Sequence, residues 1–162
     1  MMTRPPAKDA SPNVGRGFTL IELLATMVIL ILLTSVALPL ARVRIQRTRE
    51  VELRRSLRQL REAIDRYKDY SDRGQIPPTP DSFGYPPDLD TLVEGVVLKG
   101  TAEAKYKFLR RIPIDPMTGK ADWGLRAMQD DPDSTEWGGS NVFDVFTKSK
   151  GVALDGTRYA TW

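Results

Sequence analysis

Between Leu23 and Ala41 the chain carries no charged residue, and most of the side chains there are aliphatic. At about 1.5 Å per residue, a helix of that length comes close to crossing a hydrocarbon core of roughly 30 Å. The run predicts a membrane segment. One acid stands just ahead of it, Glu22, four residues after the apolar start at Phe18. A carboxylate at the centre of a span costs on the order of 2.5–3.5 kcal/mol, so a buried acid needs a partner or a task. In the first turn of a helix the same acid is favoured by the dipole and sits among head groups. The sequence leaves both readings of Glu22 open.

The junction before the run is the sharper signal. A polar leader with Arg4, Lys8 and Arg16, punctuated by Pro5, Pro6, Pro12 and Gly15, ends in Gly17, and the apolar residues begin at once with Phe18. That leader composition does not fold and reads as disposable. A secretory signal peptide is cut after its apolar region, at small residues, and Ser35 with Ala37 offers such a place. A secreted binding domain released at Ala37 is therefore a rival. Against it, the apolar run is long for a signal peptide, which has no use for Glu22.

The stretch Gly17-Phe18-Thr19-Leu20-Ile21-Glu22-Leu23-Leu24 resembles the class III leader of type IV pilins and type II secretion pseudopilins. The resemblance implies that a prepilin peptidase cuts between Gly17 and Phe18 and methylates Phe18. It implies self-assembly into a helical filament, with Glu22 facing the amino terminus of a neighbouring subunit. The physics agrees, because a charge in lipid gains by meeting an opposite one, and the gain favours one axial register. Pro39 removes one backbone hydrogen bond near the end of the run. In the pilin-like family a proline at a comparable place marks a helix that melts on entry into the filament; a plain exit kink at the membrane surface is the other reading.

Beyond the span the pattern turns amphipathic, with no glycine or proline until Gly74. Leu53, Leu57, Leu60, Ile64 and Tyr67 step by four, three, four and three, which draws one apolar stripe along a helix. The other faces alternate arginines (Arg42, Arg44, Arg47, Arg49, Arg54, Arg55, Arg58, Arg61, Arg66) with acids, and spacings such as Glu62 to Arg66 predict a solvated, salt-bridged surface. The arginines nearest the membrane are also suited to anionic head groups or to acidic patches on adjacent subunits. The expected organisation is a leader over 1–17, a helix over 18–71 (18–41 spanning, 42–71 amphipathic) and a small head over 72–162. The fold class is α+β, a long helix packed on a small antiparallel head of the type IV pilin-like kind.

Within the head, residues 72–87 are rich in Gly and Pro and predict an irregular loop. Asp88 to Gly95 predicts a short helix with its acids early and Gly95 as its stop. A second helical patch is expected from Ala102 to Arg111, strands over 123–128 and 142–147, and a last strand or ordered tail over 159–162. Tyr85-Pro86-Pro87-Asp88-Leu89, Ile112-Pro113-Ile114-Asp115-Pro116 and Phe143-Asp144-Val145 resemble the major pseudopilin family of type II secretion systems. That resemblance implies minor pseudopilins and an inner-membrane assembly platform as partners, a periplasmic head and a role in protein export. A true type IV pilin or minor pilin, serving adhesion, motility or DNA uptake, shares every feature up to Pro39. The disulfide common near the end of such pilins is absent here, since the chain has no cysteine.

Composition removes other classes. The net charge is +3, from 24 Lys and Arg against 21 Asp and Glu. Much of the excess is in the leader, so bulk charge gives a nucleic-acid role no support. Arginines flank the span on both sides, and the positive-inside rule alone does not orient it. Without histidine or cysteine, histidine triads, thiol nucleophiles and the usual zinc sets are impossible. No phosphate loop or dinucleotide fingerprint is present, and an enzyme is not expected. Calcium is the one cofactor in view, because it takes six to eight oxygen ligands. The pseudopilin resemblance implies a calcium loop at 147–156, with Ser149, Asp155 and the carbonyl of Leu154 as ligands. Lys148 and Lys150 depart from that pattern. The acid-rich 130–136 stretch lacks the glycine and spacing of a helix-loop-helix calcium site and reads as a solvated loop.

Overall fold

The computed structural model describes residues 17–77, 79–100 and 104–162. The leader residues Arg4, Lys8 and Arg16 lie outside them, as do Ala102 and Glu103. The elements in chain order are α1 (Leu20–Asp72), α2 (Leu89–Glu94), β1 (Val96–Val97), β2 (Lys105–Tyr106), β3 (Trp123–Arg126), β4 (Asp144–Thr147) and a short 3-10 helix (Tyr159–Thr161). Two compact units divide between Ala41 and Arg42. The architecture is α+β, a long amino-terminal apolar helix with small antiparallel sheets in the carboxy-terminal part, consistent with a pilin-like fold.

In the first unit the helix is apolar all round, long and apolar enough to cross a membrane, with none of its most apolar window buried. Its few hydroxyls turn back on their own helix. Thr26 donates to the Leu23 carbonyl at 2.8 Å, Thr34 to that of Leu30 at 2.7 Å, and Ser35 to that of Leu32 at 2.7 Å. Such internal bonds let polar side chains stay in hydrocarbon. α1 continues through Pro39, which costs the hydrogen bond to the Ser35 carbonyl without ending the helix.

In the second unit the predicted stripe is buried: Leu53, Leu60 and Ile64 are fully inaccessible, with Leu57 and Tyr67 nearly so. Burying each of these side chains is worth about 1.5–3 kcal/mol. They share one core with Leu92 of α2, Trp123 of β3, Val142 and Val145 at β4, and Tyr159. α2 forms where its capping residues demand: the Asp88 carboxylate accepts from the Thr91 amide at 2.7 Å, and Gly95 ends the helix at φ +82°. A Cβ at Gly95 would meet the Tyr106 carbonyl at 2.7 Å, so both the conformation and the space require glycine.

β3 and β4 pair antiparallel with Trp123 opposite Thr147 and Arg126 opposite Asp144. Gly124 faces Phe146, whose ring occupies the place a Cβ would take, at 2.3 Å. The helical patch expected up to Arg111 does not form among the described residues. Lys105 and Tyr106 pair instead with Val97 and Val96, while the Phe108 and Leu109 amides both donate to the Leu92 carbonyl at 3.0 and 2.9 Å. The signal there has a period of two: Tyr106 stacks on Tyr70 at 5.0 Å and Phe108 meets it edge-on at 5.6 Å. Of the two forms expected for 159–162, a last strand or an ordered tail, the structure has an ordered tail with a 3-10 turn, preceded by a single bridge between Val152 and Arg158.

The salt-bridged helix face needs a similar correction. Arg66 does not pair with the Glu62 carboxylate. It donates to the Glu62 carbonyl at 3.2 Å and the Phe108 carbonyl at 3.1 Å, fastening β2's exit to the helix. Arg61 leaves the solvated face as well, donating to Asp144 at 2.7 Å and to the Trp162 carbonyl at 2.9 Å.

Candidate functional site

The leader junction is built by a capped helix start. Gly17 to Thr19 are not helical, and α1 opens at Leu20. The Thr19 hydroxyl accepts from the Glu22 amide at 3.3 Å, so Thr19 is the N-cap and Glu22 the third residue of the first turn. The pattern Thr-x-x-Glu ahead of an apolar run is that of a capping box, and it gives Glu22 a place beside unpaired amides at the positive end of the dipole. This cap was legible in the sequence as spacing alone. Phe18 is 78% exposed, and among the described residues nothing lies within 4 Å of where a Cβ at Gly17 would stand. The geometry thus offers an exposed, non-helical peptide bond between Gly17 and Phe18, with a carboxylate held about one helical turn beyond it. Pro39 lies in the same unit but far along the helix from this junction.

The calcium candidates are placed differently. The Asp155 carboxylate accepts from the Thr157 amide at 2.9 Å and its hydroxyl at 2.6 Å, and its other oxygen faces Arg54 at 3.7 Å. Its acidity is raised first by the Thr157 hydroxyl bond, with Arg54 adding to it. Ser149 accepts from the Gly151 amide at 3.3 Å, and the Leu154 amide is bound to Glu50 at 2.8 Å. Calcium takes six to eight oxygens, mostly carboxylates and carbonyls. A single exposed carboxylate already engaged by a hydroxyl, an amide and a guanidinium does not fit that set. Among the described residues no group of three acids stands together. In the acid-rich loop Asp130 accepts from the Ala127 and Gly138 amides at 2.7 and 3.1 Å, which makes it a loop clamp.

What holds the 152–162 segment is α1. Gln46 donates to the Val152 carbonyl at 3.0 Å and to the Tyr159 hydroxyl at 2.9 Å. Glu50 accepts from the Leu154 amide and the Tyr159 hydroxyl, both at 2.8 Å. Arg54 lies over the Trp162 ring at 4.2 Å. These three side chains, spaced by four, form one row on the helix. Sequence reading placed Glu50 and Arg54 on the solvated, salt-bridged face and gave Gln46 no role, since nothing local distinguishes a hook from a solvated polar residue. Burial pushes the Tyr159 phenol up, and the Glu50 carboxylate at its oxygen acts the same way.

A capped apolar helix behind a glycine-ended leader, joined to an α+β head, is the arrangement of a type IV pilin-like protein. Residues 13–38 match the family model described as the prokaryotic N-terminal methylation motif. The match supports a type IV pilin-like chain processed by a prepilin peptidase, a structural subunit for filament assembly anchored in a membrane by a single span. No curated protein and no solved structure matches the chain.

Proposed function

We propose that the chain is a structural subunit of a type II secretion pseudopilus. In this reading prepilin peptidase cuts after Gly17 and methylates Phe18, and the subunit waits in the inner membrane with its head in the periplasm. It then packs helix against helix into a filament that drives protein export, with minor pseudopilins and an inner-membrane platform as partners. The observation that supports processing and assembly, common to pilins and pseudopilins, is the junction: an exposed Gly17-Phe18 bond followed by a capped helix whose first half is apolar apart from Glu22 in its first turn. Glu22 is then the charge that meets the methylated amine of the next subunit, and Pro39 the point at which the helix yields on assembly. The absence of cysteine favours the pseudopilus over a disulfide-bearing surface pilus.

The test has two arms. Mass spectrometry of the native protein should find a mature chain beginning with methylated Phe18; a start at Leu38 would return it to the signal-peptide class. Deleting the gene should abolish protein export and leave surface filaments in place. Loss of surface filaments with export intact would make it a pilin instead. Glu22→Ala should insert normally and assemble poorly.

A further inference from the structure

We propose that the second unit carries an amphipathic surface that rests on anionic phospholipid, formed by the first arginines of its helix and the Val152–Leu154 loop. Arg42, Arg44, Arg47 and Arg49 are all exposed, and none has an acidic partner among the described residues. The acid nearest them in sequence, Glu50, is spent on the Leu154 amide and the Tyr159 hydroxyl. The bonds from Gln46 and Glu50 bring the loop down against this stretch of helix while leaving its apolar side chains outside: Val152 is 52% and Leu154 41% exposed, beside Ile45 at 56%. Arg42, Ile45, Arg49 and Val152 wall one cleft of about 380 Å³. Lys150 adds another exposed, unpartnered cation from the loop side.

Guanidinium groups beside unburied aliphatic side chains match a lipid surface, where phosphates and the upper acyl chains lie within a few ångströms of each other. The chain itself says which occupant to choose. Only eight residues separate Ala41, the last of the uncharged run, from Arg49. That is about 12 Å of helix; a head-group layer of roughly 5–8 Å on each side of a hydrocarbon core takes in Arg42 to Gln46, and Arg49 stands just outside it, within reach through its long side chain. A second copy is the weaker occupant, since two such faces would bring unpaired arginines together without a carboxylate between them. The inference rests on the reading of the chain as membrane-anchored by its apolar segment, and holds whichever filament it joins.

The chain has no cysteine, so single labels are clean. Full-length protein, one copy per lipid nanodisc, is spin-labelled at Val152→Cys or Leu154→Cys, with Gln129→Cys as an exposed control and Leu30→Cys as a control in the span. Collision with a water-soluble nickel chelate is then measured in phosphatidylcholine discs and in discs that also contain phosphatidylglycerol. The labels at 152 and 154 should lose accessibility severalfold in the anionic discs only, and regain it in high salt. Replacing Arg42, Arg44, Arg47 and Arg49 together by Gln should regain it too, each arginine contributing about a fivefold bias. Equal accessibility in both lipids, or protection that survives the Gln replacements, overturns the lipid contact while Leu30 stays protected. Protection seen only in discs with two copies assigns the surface to another subunit and also overturns it. A water-exposed label at Leu30 removes the membrane-anchored reading itself.

Discussion

Asp115 offers the most direct test of how the head is held together. It is fully inaccessible, in the proline-flanked connection before β3, and no cation approaches it among the described residues. One oxygen accepts from the Met117 amide at 2.8 Å and the other from the Thr147 hydroxyl, so the carboxylate ties that connection to the end of β4. Asp115→Ala leaves both donors buried without an acceptor, at about 1–3 kcal/mol each, and adds a small void, for a loss of about 3–5 kcal/mol. Asp115→Asn keeps the shape and the acceptor for Met117, and should cost only about 1–2 kcal/mol. At roughly 4 °C per kcal/mol for a domain of this size, the expected falls in Tm are about 12–20 °C and about 4–8 °C. Tryptophan fluorescence reads the head alone even in full-length protein in detergent, because Trp123, Trp137 and Trp162 all lie past Arg42. A Tm for the Ala variant within about 4 °C of the parent, or an Asn variant as damaged as the Ala variant, would refute the reasoning.

Gly124→Ala places a methyl inside the Phe146 ring, which is itself covered by Arg126 at 4.3 Å; a loss of about 1–3 kcal/mol is expected, read by urea unfolding. Glu50→Ala removes the acceptor shared by the Tyr159 hydroxyl and the Leu154 amide, leaving Tyr159 only its bond from Gln46, and should speed hydrogen exchange at residues 152–159 well before it affects the stripe around Leu60. Because the Tyr159 phenol is raised above its ordinary 10.0, its contribution is complete below that pH and is lost as pH climbs toward the folded value; Tyr159→Phe should flatten that alkaline limb. Added calcium should leave Tm unchanged, and a rise that Asp155→Asn removes would show that the loop rearranges around a metal.

Local chemistry made the first half of the molecule readable. The uncharged run, the Leu53 to Tyr67 stripe and the Asp88 to Gly95 helix each carry their signal within a few residues, as periodicity or as a cap, and each forms where that signal lies. What escaped was set by partners distant in the chain. Tyr106 sits in a strand because Val96 pairs with it and Tyr70 receives its ring, and Phe108 follows in a bend, its ring edge-on to Tyr70. Arg61 and Arg126 converge on Asp144, and no spacing foretells that two of many arginines will be drawn inward. At the junction the reverse holds: Thr19 and Glu22 are three apart, and their bond needs nothing from the rest of the protein. In the 147–156 loop the Ser149 hydroxyl, expected to face a metal, accepts from the Gly151 amide, and the Asp155 carboxylate is engaged by its own turn and by Arg54 of the helix.

The row of Gln46, Glu50 and Arg54 has a kinetic consequence. The hydrogen-bond partners of Gln46 and Glu50 lie 104 to 113 positions downstream, so the last ring of the head closes over nearly the whole domain. Such a closure has a high entropic threshold and waits on a helix already wound and packed. Until it shuts, Tyr159 and Trp162 stand in water, and a protease patrolling the compartment has its widest opportunity there. Once shut, the row pins the carboxy-terminal tail at three successive turns of the helix, so the tail can open only by releasing that side.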